Sequence, residues 1–155
     1  MTHPPLDAAD YKLLDALQRD ASLSRKRLAE ICHISEATCS RRMASLKKRG
    51  YLTRQVAILD PAKLGLKLTV FVLLEIANEQ AAEMKRFIDR LKKTPELMTF
   101  SFISGEYDYL AHLVVRDMQA YYDYADEYFS HDPLIRKYTS LFEMKSLKHT
   151  NILPL

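Results

Sequence analysis

Between positions 21 and 54, nine Lys and Arg stand against two Asp and Glu, a local net charge of +7. Residues 61–155 carry 12 basic against 13 acidic side chains. A basic block beside a near-neutral remainder points to a polyanion-binding module joined to a unit with other work. Within the block, Ala37, Thr38, Ser40 and Arg41 open a predicted helix. The methyl of Ala or Thr suits a thymine methyl, and Arg suits a two-pronged bond to guanine. Arg25, Lys26, Arg27, Arg42, Lys47, Lys48, Arg49 and Arg54 suit phosphates, which position a protein without specifying sequence. Arg42 lies about 100° around the helix from Arg41, so internal pairing is its alternative. With Ser35 and Ser45, the principal candidates for DNA contact are Arg25, Lys26, Ser35, Ala37, Thr38, Ser40, Arg41, Arg42, Ser45, Lys47, Lys48 and Arg54.

Other chemistries lack their residues. The three glycines, Gly50, Gly65 and Gly105, are isolated, whereas a phosphate-cradling loop needs several together. His3, His33, His112, His131 and His149 are scattered, and none pairs with a nucleophile at a motif spacing, so the sequence predicts no enzyme. Cys32 and Cys39 have no metal-type spacing with histidine and read as buried thiols of a reducing compartment. Neither a metal nor a cofactor is expected. No apolar run approaches the ~20 residues of a membrane span. Asp7 and Asp10 stand where a signal peptide needs an apolar run, so a cytoplasmic protein is expected.

Three short helices must position the basic residues. Asp7 and Asp10 mark the start of the first, whose apolar side is Tyr11, Leu14 and Leu17 with Leu13. Ser24 caps a second, with Leu28 and Ala29 inside. Only His33 and Ile34 separate it from Ser35, the cap of a third with stripe Cys39, Met43, Leu46. Gly50 stands where a helix-ending left-handed residue belongs. Two helices on a tight turn describe a helix-turn-helix, whose second member enters the major groove. Tyr51 to Leu59 reads as a strand stopped by Asp60-Pro61. Beyond it, a buried strand is predicted at 68–76, a helix with stripe Met84, Phe87, Ile88, Leu91, and strands at 98–103 and 107–115. A helix with stripe Met118, Tyr121, Tyr122, Ala125, Tyr128, Phe129 and a last strand at 137–147 follow. The order β-α-β-β-α-β is the ferredoxin-like arrangement. The expected fold is therefore α+β, with a DNA-binding domain at 1–60, a linker at 60–67 and a second domain at 68–155.

The run Leu6-Asp-x-x-Asp10-x-x-Leu13-Leu14-x-x-Leu17 resembles the opening of the leucine-responsive regulatory protein / asparagine regulator (Lrp/AsnC) family. Similar matches are Ser35-x-x-Thr38-Cys39-x-Arg41-Arg42-Met43-x-x-Leu46-x-x-x-Gly50-Tyr51-Leu52, Asp60-Pro61-x-x-Leu64-Gly65, Ser104-Gly105-x-x-Asp108-Tyr109 and Leu147-Lys148. The resemblance spans essentially the whole chain in order. It implies a winged helix-turn-helix and a ferredoxin-like regulatory domain that binds a small effector, commonly an amino acid. It further implies homodimers built through the regulatory sheets, often assembled to octamers, on double-stranded DNA in a bacterial or archaeal nucleoid. By position the implied effector residues are Ser104, Gly105, Glu106, Tyr107, Asp108 and Tyr109, with Ser140 in the last strand. Gly105 lets backbone approach a ligand, and Asp108 is the expected acceptor for an α-ammonium group.

The chain departs from the family pattern at Glu106, where Asp is common, and at Ser140, where Thr is common. Phe142-Glu143-Met144-Lys145 places charges where apolar residues are usual. Two rivals differ in class. An RNA-binding sheet of the same topology would need a basic-Gly-aromatic signature, which Tyr107–Val115 lacks. A ligand-independent DNA-organising protein shares the fold and is separated only by its indifference to amino acids.

Overall fold

The computed structural model describes residues 5–77 and 80–155; His3 lies outside them. The chain folds as two compact units, Met1–Ile58 with Lys148–Leu155, and Leu59–Leu147.

The first unit holds α1 (Ala8–Arg19), α2 (Arg25–Cys32) and α3 (Glu36–Lys48). Asp7 caps α1 by accepting from the amides of Ala9 at 3.0 Å and Asp10 at 2.9 Å. Ser24 and Ser35 cap α2 and α3 through the amides of Arg27 and Thr38, each at 3.2 Å. Leu13, Leu17, Leu28, Ala29, Cys32, Cys39, Met43 and Leu46 close over one core, in which each fully buried Leu contributes about 1.5–3 kcal/mol. The turn between α2 and α3 reverses through His33, at φ 55° and ψ 46°. There the Ile34 amide donates to the Ala29 carbonyl at 3.0 Å. Gly50, at φ 79°, ends α3 as expected, with the Tyr51 amide donating to the Leu46 carbonyl at 3.0 Å.

The second unit is a four-stranded antiparallel sheet in the order β2-β3-β1-β4. Its strands are β1 (Leu68–Ile76), β2 (Leu97–Phe102), β3 (Tyr109–Val115) and β4 (Ile135–Phe142); α4 (Ala81–Leu91) and α5 (Met118–Ala125) complete it. Val70, Val72 and Leu74 alternate on one face of β1, with Ala111, Leu113 and Val115 beside them on β3. Phe87 and Leu91 of α4 and Tyr121 and Tyr124 of α5 pack on that face. The opposite face presents Phe71, Leu73, Leu110, His112, Val114 and Leu141, with the Phe71 and His112 rings stacked at 4.8 Å.

Several local expectations differ from the fold. In α1, Tyr11 is exposed and the buried apolar side is Leu13, Ala16 and Leu17. Tyr51–Leu59 forms no strand among the described residues. A strand needs a hydrogen-bonded neighbour, and within this chain the segment leaves Val56 and Ile58 63% and 74% exposed. The last strand ends at Phe142 rather than at 147; one further bond, from the Glu143 amide to the Thr69 carbonyl at 3.0 Å, follows it, and β1 itself begins at Leu68. In α5, Met118 and Tyr122 face out and Tyr124 is buried. The helix widens to a π turn over Asp126–Ser130, which brings Phe129 into the core. Finally, residues 148–155 pack with the first unit. The Leu153 amide donates to Gln18 Oε1 at 2.8 Å, and Gln18 Nε2 donates back to the Leu153 carbonyl at 3.0 Å.

Candidate DNA and effector sites

Cys39, Met43 and Leu46 bury one side of α3 and so decide what the helix offers outward. Ala37, Arg41, Ser45 and Lys48 recur at steps of four, four and three and are all exposed. Arg41 makes no ion pair or side-chain hydrogen bond among the described residues. Arg25, Lys26 and Lys47 are exposed too, and Lys26 and Ser35 line one groove with His33 and Glu36. Lys47 and Arg54 line a hollow of about 230 Å³ with Leu52, Thr53 and Gln55.

Several predicted contacts are spoken for. Ser35 is the helix cap, and its hydroxyl also donates to Thr38 Oγ1 at 2.9 Å. Ser40 is half-buried. Arg27 pairs with Glu30 at 3.0 Å, and the Arg49 guanidinium lies 4.8 Å from the Tyr51 ring centre. Arg42 takes its internal alternative. Its Nη1 lies 2.7 Å from Asp7 Oδ2 and 2.8 Å from Asp10 Oδ1, bonds that hold its guanidinium above its usual pKa. Cys32 and Cys39 are free, buried thiols whose pKa burial pushes up. They serve packing, as the sequence indicates.

Hydrogen bonds tie the turn before β3 to the sheet. The Ile103 amide donates to the Asp108 carbonyl at 2.8 Å, and the Asp108 amide donates to the Leu74 carbonyl at 2.9 Å. The Asp108 carboxylate accepts the Ile76 amide at 2.8 Å. At least one of its oxygens therefore ties the turn to β1. Ser104, Gly105 and Glu106 are exposed, with Gly105 at φ 141°. The Tyr107 hydroxyl lies 3.0 Å from Thr139 Oγ1, and Lys137 Nζ sits 5.4 Å from the Tyr107 ring centre. Ser140 does not join this group. Its neighbour Thr139 points to the Tyr107 side, and alternation along β4 sends Ser140 to the helix side, where it hydrogen-bonds the Tyr121 hydroxyl.

An apolar hollow of about 260 Å³ adjoins the turn, lined by Ile76, Ala81, Met84, Phe102 and Tyr109. Tyr109 stacks on Phe100 at 5.0 Å and leans on Phe102 at 5.3 Å. Only Tyr109 among these residues belongs to the predicted set. Met84 opens the apolar stripe of α4, but nothing in sequence brings it to Phe102.

Two family descriptions match successive parts of the chain, the second running past the sheet unit into the C-terminal segment that packs with the first unit. "Winged helix-turn-helix DNA-binding" matches residues 6–53, and "Lrp/AsnC ligand binding domain" matches residues 69–153. The chain belongs to the Lrp/AsnC family. Its relatives are transcriptional regulators, not enzymes. The DNA-binding transcriptional activator DecR of Escherichia coli (strain K12) is 37% identical over 97% of this chain and 99% of its own length. An AsnC family transcriptional regulator from Agrobacterium tumefaciens superposes with a TM-score of 0.91 at 36% identity, covering 96% of this chain and 97% of that one. A Neisseria meningitidis transcriptional regulator, solved in complex with L-Met, superposes with a TM-score of 0.92 at 29% identity over 97% of both chains. In this Lrp/AsnC regulator the helix-turn-helix carries DNA binding, and the sheet unit carries ligand binding.

Proposed function

We propose that this regulator is a homo-oligomer that reads a near-palindromic DNA site through α3 and responds to an amino acid with an apolar side chain. The observation that carries the reading is the exposed stripe Ala37, Arg41, Ser45, Lys48 above a buried seam. Arg41 is the base-reading cation; Arg25, Lys26, Lys47, Lys48 and Arg54 serve the phosphates. A two-fold dimer would set the spacing of the half-sites. Two surfaces support self-association: the sheet face around Phe71, Leu110 and Leu141, and the extended segment with Val56 and Ile58. Both are apolar and uncovered within one chain.

The effector would sit at the turn 103–108, with its side chain in the apolar hollow beside Tyr109. The regulator works without catalysing a reaction, in the compartment that holds its DNA. Effector binding shifts DNA affinity only by the difference in its affinity for two arrangements of the assembly.

A thermal-shift screen against the twenty amino acids, followed by DNA titration with and without each hit, tests this. A ligand at 100 times its Kd adds about 2.7 kcal/mol. Leucine, isoleucine, valine, methionine or phenylalanine should raise the melting temperature and change DNA affinity. If none of the twenty changes either quantity, the protein is the ligand-independent DNA-organising alternative.

A further inference from the structure

Arg42 belongs to the recognition helix, yet its charge is committed elsewhere. One nitrogen, Nη1, serves both Asp7 Oδ2 at 2.7 Å and Asp10 Oδ1 at 2.8 Å. Asp10 is only 7% exposed. Its second oxygen accepts the Asp7 amide at 3.4 Å, the long member of the capping box. Arg42 Nε is buried without a hydrogen-bond partner, so the guanidinium is already partly withdrawn from water. To reach a phosphate, the side chain would have to abandon two carboxylates and leave Asp10 buried with one weak bond. Removing one member of a buried ion pair is the costly direction.

The same contacts bear on how α3 is aimed. Cys39, Met43 and Leu46 hold the helix to the core through apolar packing, which is non-directional and tolerates a roll about the helix axis. An ionic bond to two fixed oxygens is directional. Asp7 and Asp10 are fixed in turn, because both belong to the capping box of α1. Arg41, the neighbouring residue, projects about 100° away. Locking Arg42 therefore sets the direction in which Arg41 leaves the helix.

We infer that Arg42 is a positioning residue: with Asp7 and Asp10 it forms a clamp that fixes the roll of α3 and so determines which bases Arg41 and Ala37 address. The inference rests on α3 being the DNA-reading helix. It also gives one physical reason for Asp7, Asp10 and Arg42 to occur together in this sequence.

The test uses two duplexes: one enriched from a random-sequence library by the wild-type protein, and a scrambled duplex of equal length and composition. Affinities of full-length Arg42→Ala, Arg42→Lys, Asp10→Asn and Asp7→Asn are measured on both across a salt series. Asn retains helix-capping ability, so Asp7→Asn removes the ion pair but not the cap. Arg19→Ala, which breaks the exposed pair with Asp15 on α1, is the control. A clamp predicts that Arg42→Ala and Asp10→Asn lower the enriched-to-scrambled affinity ratio by at least about fivefold, the worth of one two-pronged base contact. Scrambled-duplex affinity and the salt slope should stay at wild-type values, as should every ratio for Arg19→Ala.

The Asp10→Asn variant is decisive because it deletes a negative charge. Simple electrostatics predicts tighter binding to both duplexes; the clamp predicts weaker binding to the enriched one. A phosphate contact instead predicts that Arg42→Ala weakens both duplexes equally and lowers the salt slope by about one. Either pattern, or unchanged ratios, overturns the clamp. Should Arg42→Ala fail to fold, Arg42→Lys and the two Asn variants carry the same comparison. A wild type that enriches no sequence removes the reading role of α3 itself, whereas an enriched sequence with unchanged variant ratios removes only the clamp.

Discussion

The Asp108 carboxylate accepts the amide of Ile76 at 2.8 Å, across the end of the sheet, while the Asp108 amide donates to the Leu74 carbonyl at 2.9 Å. One residue thus fastens the turn before β3 to the central strand through both its side chain and its backbone. A residue expected from the family resemblance to meet an effector is also a structural tie.

Asp108→Ala should therefore lower the stability of the second unit as well as perturb any ligand response. It leaves the Ile76 amide without its acceptor, a loss of about 1–3 kcal/mol. Asp108→Asn keeps a side-chain acceptor and should melt close to wild type. Thermal unfolding of the two variants without ligand separates these outcomes. Equal melting temperatures for Ala and wild type would show that the carboxylate does not hold the turn.

Arg41 and Lys47 should respond differently to truncation, because one is placed on the outward stripe of α3 and the other beside the hollow with Arg54. Arg41→Ala should cost about 1–3 kcal/mol and relax preference at one base position. Lys47→Ala should weaken binding about uniformly across sequences and lower the salt slope by about one. Binding to single-substituted operator variants over a salt series reads both. A uniform loss for Arg41→Ala would make it a phosphate contact.

How far the sequence carried the fold varies with the range of the interaction. Caps and stripes act over three or four residues, so Asp7, Ser24, Ser35 and the buried Cys39, Met43 and Leu46 were legible. The element order β-α-β-β-α-β followed from the apolar runs and the helical stripes between them, whereas the alternating burial of β1 was not read from its nearly continuous apolar run. Contacts without a spacing signature were not legible. Nothing periodic links Leu153 to Gln18, whose pairing is a side-chain amide meeting a backbone peptide unit 135 residues away. The same holds for Met84 and Phe102 around the apolar hollow. Residues 51–59 show the converse case: strand-forming composition is visible, but pairing depends on a neighbour.

His33 occupies the left-handed region at φ 55° in the turn that orients α3. A β-carbon there is unfavourable by about 1–2 kcal/mol relative to glycine's freedom, partly offset by glycine's greater entropy when unfolded. His33→Gly should thus stabilise the first unit by up to about 1 kcal/mol, raising its melting temperature by a few degrees. DNA affinity should be unchanged, since the turn keeps its shape. A lower melting temperature would mean that the imidazole makes a stabilising contact worth more than the backbone strain.

Acid should weaken the first unit through Asp7. Its carboxyl is held below the ordinary 3.8 first by the Asp10 amide and then by the Arg42 guanidinium. Asp15 and Asp20 are lowered as well, chiefly by Arg19 and by the Ser22 hydroxyl. A carboxyl whose folded pKa is depressed takes up its proton more readily in the unfolded chain. Its contribution is therefore complete above about pH 3.8 and is lost as pH falls through the folded value. Melting temperatures measured from pH 6 down to pH 2 should fall most steeply below about pH 4. Asp7→Asn keeps the cap and has no proton to gain, so its curve should be shallower than wild type in that window while Asp15 and Asp20 still titrate. Parallel curves for the two proteins would show that the Asp7 carboxylate is not stabilised by its bonds to the Asp10 amide and Arg42.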